Sequence, residues 1–175
     1  MNSIKKNILI MFTCMCMVVV MGFPVLAQSM DRDLKVNVVD TSSNIINKEN
    51  LSRVNSTARG RILSSAGLSI FNDNNGLISV YAETLCHMPV ERIHLIIFLE
   101  VWDEAEQDWK YISDYEYTWL ASERPGVDLT DVSVSFDVAG LPKGKTYSLR
   151  AYHTARDFNN VSEMMATETD GIVLK

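Results

Sequence analysis

A chain of 175 residues with 47% hydrophobic content is long enough for one packed domain. Its formal net charge of −6 argues against DNA or RNA as a partner, because phosphate binding needs a basic surface. It disfavours anionic lipid for the same reason.

The chain opens MNSIKKNILIMFTCMCMVVVMGFPVLAQ. Lys5 and Lys6 form a basic start, an apolar run follows, and Val25-Leu26-Ala27 supplies a cleavage-like end. This pattern predicts a signal peptide over residues 1–27 and a secreted, extracellular product. Its apolar run is shorter than the roughly 20 residues of a membrane span, so no membrane attachment is expected after cleavage. Removal of residues 1–27 takes two lysines and no acid, leaving 14 basic and 22 acidic side chains and a net charge of −8. Cys14 and Cys16 leave with it, and Cys86 remains alone. A single cysteine cannot close an internal disulfide, so the fold must rest on its core.

Residues 28–58 are rich in Asn, Ser, Asp and Lys, with apolar residues only in scattered pairs, and read as a flexible polar stalk. From Arg61 the texture changes to short β-type runs cut by turn residues. Residues 62–71 form a first strand, closed by Asn72-Asp73-Asn74-Asn75-Gly76, a hairpin signal because Asn and Gly tolerate positive φ. Strands at 77–85 and 92–102 follow. An acidic turn, residues 103–108, leads to a fourth strand at 109–120. Residues 122–129 read as a loop. Residues 131–138 alternate without a fault, with Val132, Val134, Phe136 and Val138 on one face. Runs at 147–154 and 164–174 complete seven strands. This spacing predicts an all-β fold: a single seven-stranded antiparallel sandwich over residues 59–175.

The turn LPKGKTY and the strand YSLRAYH that follows it resemble the E–F loop and strand F of immunoglobulin and fibronectin type III domains. That resemblance implies a tyrosine corner, with Tyr147 bonding back to the loop. The domain departs from that pattern elsewhere, with no core tryptophan in its second strand and no disulfide pair. Over residues 59–175 the order RILSSAGLSI, NNGLISV, ERIHLIIFLEVWDEAEQDWKYI, YSLRAYH and ATETDGI resembles a family of small secreted Gram-positive proteins whose function is unknown. It implies one secreted β domain and transfers no active site.

Three groups of residues invite a chemical reading. His153 with Asp157 nearby suggests a base and its orienter, but no nucleophile motif accompanies them. Cys86, His87 and Met88, with His94 on the next strand, are soft ligands suited to copper(I), yet neighbouring strand residues point to opposite faces. Asp103, Glu104, Glu106 and Asp108 offer oxygens for calcium without the glycine and spacing of a calcium loop. The expectation is a protein without catalysis, metal or cofactor.

The aromatic residues are more informative. Trp109, Tyr111, Tyr115, Tyr117 and Trp119 share one parity on the fourth strand. On the third, the unbroken aliphatic set Ile93, Leu95, Ile97, Leu99 and Val101 is expected inward, leaving Phe98 and Trp102 outward. If Trp102 pairs with Trp109, the odd residues of the fourth strand share the outer face; an intervening bulge turns them into the core. The first register yields an aromatic platform of Phe98, Trp102, Tyr115, Tyr117 and Tyr152. Such a face suits an extracellular glycan, peptide, protein or wall polymer. The alternatives are a structural protein that self-associates into a homo-oligomer through the same face and, least supported, a hydrolase.

Overall fold

Short runs of alternating polarity dominate the chain, and a computed structural model shows them as β-strands. It describes residues 36–38, 41–48, 51–72 and 75–175, all within the unit Lys35–Lys175. The region read as a signal peptide lies outside the described residues.

Nine strands of seven residues or more are present among the described residues. They are β2 (Thr41–Lys48), β3 (Leu51–Ala58), β4 (Leu63–Asn72), β5 (Ile78–Cys86), β6 (Arg92–Asp103), β7 (Asp108–Leu120), β8 (Asp131–Val138), β9 (Thr146–Arg156) and β10 (Ser162–Glu168). Two short ones, β1 (Val36–Val38) and β11 (Ile172–Val173), bracket them. The helical content of the described residues is one 3-10 turn, Ala121–Glu123. No helix among them is long and apolar enough to cross a membrane.

The strands form two sheets. One has the order β1-β10-β9-β6-β7, with β11 also on β9; the other runs β2-β3-β4-β5-β8. Neighbours are antiparallel except β1, which lies parallel to β10. The core fills the space between the sheets. Ile93, Leu95, Ile97, Leu99, Tyr147, Leu149 and Ala151 come from the first sheet, and Val54, Leu68, Ile70, Ile78, Val80 and Ala82 from the second. The aliphatic face of β6 therefore points inward, as its unbroken run predicts.

The count of seven strands and the stalk both need correction. The expected strand at 164–174 divides into β10 and β11, since Gly171 takes a φ of +92° between them. The span 28–58 contains β1, β2 and β3, so the sheets begin inside it. Composition concealed β3 because half of its inward positions are polar. Ser52, Val54, Ser56 and Ala58 alternate inward, and Ser52 and Ser56 are as buried as Val54. Ser52 Oγ accepts the amide of Asp170, which supplies the partner a buried hydroxyl needs.

The turns follow their sequence signals. Gly76, in the β4–β5 connection, takes a φ of +82°. At the start of β9, Tyr147 Oη donates to the carbonyl of Pro142 at 2.8 Å while its ring fills the core. Tyr147→Phe keeps the ring and removes the donor to that carbonyl. It should lower unfolding free energy by about 1–2 kcal/mol in urea titration, and an unchanged midpoint would deny the bond a structural role.

Candidate functional site

The faces of β6 and β7 decide which aromatics a ligand can reach. Trp102 does pair with Trp109, and their rings meet edge-on at 5.3 Å. The register then shifts between Leu99 and Glu100: Glu100 faces Tyr111, Leu99 faces Ser113, and Ile112 is the extra residue. A one-residue bulge exchanges the two faces of a strand. Trp109 and Tyr111 thus share the outer face with Phe98, whereas Tyr115, Tyr117 and Trp119 oppose Ile97, Leu95 and Ile93 and pack on the core.

The expected platform is therefore corrected at two positions. Tyr115 and Tyr117 leave it, each packing against Phe136 of the facing sheet, at 4.4 Å and 6.2 Å. Burial pushes the Tyr117 phenol up, as an inward ring requires. Phe98, Trp102 and Tyr152 stay on the outer face, joined by Trp109 and Tyr111. None of these five belongs to either core cluster. The sequence showed the shared parity of the β7 aromatics; it gave no signal for the bulge that divides them.

On that outer face Phe98 is the centre. Tyr152 meets it edge-on at 5.8 Å and Tyr111 at 6.5 Å. The Arg150 guanidinium lies 5.6 Å from the Phe98 centroid and donates to Glu100 at 2.6 Å. Glu100 is buried, and this pairing offsets the cost of burying its charge. Tyr111 Oη donates to Asp114, which draws the Tyr111 phenol up through that bond first. His94 and Glu116 pair further along, at 2.8 Å. Trp109 reaches across to Gly171, where a Cβ would come within 2.9 Å of the indole. The result is a field of partly exposed rings set edge to face, Tyr111 the most exposed, with hydrogen-bonding groups between them.

The other candidate residues are structural. His153 is fully buried between the sheets, with Nδ1 2.7 Å from Thr84 Oγ1 and Nε2 2.9 Å from Thr167 Oγ1. Desolvation lowers its pKa to about 3, so it is neutral near pH 7. Asp157 does not orient it. Its carboxylate accepts the amides of Asn159 and Val161, each at 2.9 Å, and shapes the β9–β10 turn. Cys86 is half-buried, and burial, then the charges of Glu163 and Asp131, push its thiol up to about 12. That holds it as a thiol rather than the thiolate that metal binding and nucleophilic attack need. In the acidic turn, Asp103 accepts the amides of Ala105 and Glu106, and Glu106 pairs with Lys110. No three metal-ligating side chains gather among the described residues.

Sequence reasoning passed over Glu163. Its buried carboxylate accepts three successive amides, Arg61, Ile62 and Leu63, at 2.8–2.9 Å, and so ties β10 to the entry of β4. Its parity with Met165 and Thr167 was the available signal. A scan against protein-family models and a search of curated proteins find no match for this chain.

Proposed function

We propose that this is a secreted, non-catalytic binding module of the immunoglobulin and fibronectin type III kind, and that the outer face of the β10-β9-β6-β7 sheet holds a glycan chain. The single observation behind the ligand is the ring field around Phe98. A contiguous, partly exposed aromatic face outside the core is a feature that marks a binding surface. Sugar rings suit it because they are broad, weakly polar on their faces and rich in hydroxyls at their edges. The carboxylate of Asp114 and the guanidinium of Arg150, which the buried Glu100 holds in place, lie within the field to meet those hydroxyls.

The strand order supports the fold type. Strands β4, β5 and β8 stand in the A, B and E positions, and β6, β9 and β10 in the C, F and G positions, with β7 beside C. The bond from Tyr147 to Pro142 sits where that fold has its tyrosine corner. Secretion rests on the N-terminal sequence, as does membership of the family of small secreted Gram-positive proteins on the motifs quoted above.

A glycan array followed by titration tests the ligand. Tyr152→Ala and Tyr111→Ala should each weaken a hit about tenfold, the equivalent of 1.4 kcal/mol, and leave the unfolding midpoint nearly unchanged. Binding that survives both changes would place the site elsewhere. Sedimentation of the same variants addresses self-association: a dimer that dissociates in both would make the face a homo-oligomer contact instead.

A further inference from the structure

At one end of the sandwich, separate from the ring field, an open cleft of about 900 Å³ lies between the 3-10 turn, the loop after it and the ends of β6 and β9. Its lining includes Arg92, Arg124, Arg156, Glu91, Asp128 and Phe158. Three guanidinium groups face two carboxylates there, a local excess of positive charge on a chain of net charge −6.

The arginines are placed by backbone rather than by one another. Arg92 opens β6, Arg156 closes β9, and the two stand directly opposite in register. Like charges in that relation repel. The amide of Glu91 donates to the Arg156 carbonyl at 2.8 Å, and the amide of Ala121 donates to the Glu91 carbonyl at 2.9 Å. Arg124 follows the 3-10 turn, with its amide on the Ala121 carbonyl at 3.1 Å. Glu91 compensates one guanidinium, lying 3.0 Å from Arg156 Nε. The guanidinium groups of Arg92 and Arg124 have no carboxylate within ion-pair distance among the described residues. Beside them Phe158 is 65% exposed and lines the same cleft.

We propose that this cleft is a binding site for an oxyanion, carboxylate or phosphate, borne on a ligand with an apolar body. The planar forks of Arg92 and Arg124 can each donate two parallel hydrogen bonds to such a group, which an ammonium group cannot match. The anion also relieves the repulsion between Arg92 and Arg156. Phe158 covers the apolar part. Glu91 and Asp128 set a limit on charge, since a compact polyanion would meet them as well.

The test is a titration of the intact, isotope-labelled chain, following the arginine Nε–H resonances by NMR. Benzoate and phenyl phosphate are the probes. Inorganic phosphate carries the anion without the ring, and benzyl alcohol the ring without the anion. Saturable shifts at Arg92 and Arg124 are expected for benzoate or phenyl phosphate, with a Kd on the order of 1 mM. Whichever binds more tightly identifies the anion. Inorganic phosphate should bind about tenfold more weakly and benzyl alcohol should not saturate. Arg124→Gln, in a loop outside the core, should weaken binding about tenfold, and raising the salt concentration should weaken it further. Shifts that stay linear with both anions overturn the proposal. So does benzyl alcohol binding equally well, or an affinity that Arg124→Gln and Arg92→Gln both leave unchanged.

Discussion

Acidification from pH 7 to pH 4.5 should cost the protein roughly 3 kcal/mol of stability through His153 alone. The imidazole is neutral and fully buried in the folded chain, with a pKa lowered to about 3, while the unfolded chain restores an ordinary histidine near 6.5. Between those values the unfolded state binds a proton that the folded state refuses. The stabilisation is therefore complete above about pH 6.5 and is lost as pH falls toward 3, at about 1.4 kcal/mol per pH unit. Carboxylates also titrate in this range, so a difference measurement is needed. His153→Leu removes the titration and leaves the Thr84 and Thr167 hydroxyls without their partner, at a cost of about 2–4 kcal/mol near pH 7.5. In urea titrations at pH 7.5, 6.0 and 4.5 the gap between wild type and variant should narrow by the slope given above. A constant gap would mean that His153 is solvated or protonated in the folded state.

Tyr117→Ala should cost about 3 kcal/mol, near the range for cutting a core aromatic to alanine, whereas Trp102→Ala should cost under about 1.5 kcal/mol. Tyr117 stacks on Trp119 at 5.8 Å and packs against Phe136, so its removal opens space between the sheets. Trp102 loses its edge contact with Trp109 and its cover over the outer face, a smaller sum. Equal costs at the two positions would contradict the exchange of faces at Ile112. Thermal and urea unfolding of both variants measure this directly.

The parts of the fold legible in the sequence are those where polarity and burial agree. The alternation of β8 and the aliphatic run of β6 named their inward faces correctly. The turn before Tyr147 named its hydrogen bond. Where polar side chains are buried with partners, composition misleads. Ser52 and Ser56 made β3 look like unfolded linker, and nothing in the composition singles out Glu163 although three amides hold it. The aromatic face failed for a different reason. Parity is read along one strand, but the position of an extra residue is a property of two, fixed by how β7 lies on β6. Phe98 and Tyr152 lie on the outer face that their parity indicates because β6 and β9 pair without interruption from Arg92 to Val101.

The displaced residue in β7 also bears on how the protein behaves when crowded. Among the described residues this strand has a neighbour on one side only, so alternate residues along it offer amides and carbonyls to any other extended chain. An open margin of that length invites stacking of one molecule on the next. At Ile112 the row of donors and acceptors loses its spacing, and Lys110, Asp114 and Glu116 put charge on either side of the break. An incoming strand would find neither a continuous ladder nor a neutral approach. The irregularity that sorts the rings between core and surface therefore also guards the sheet against fibrous growth.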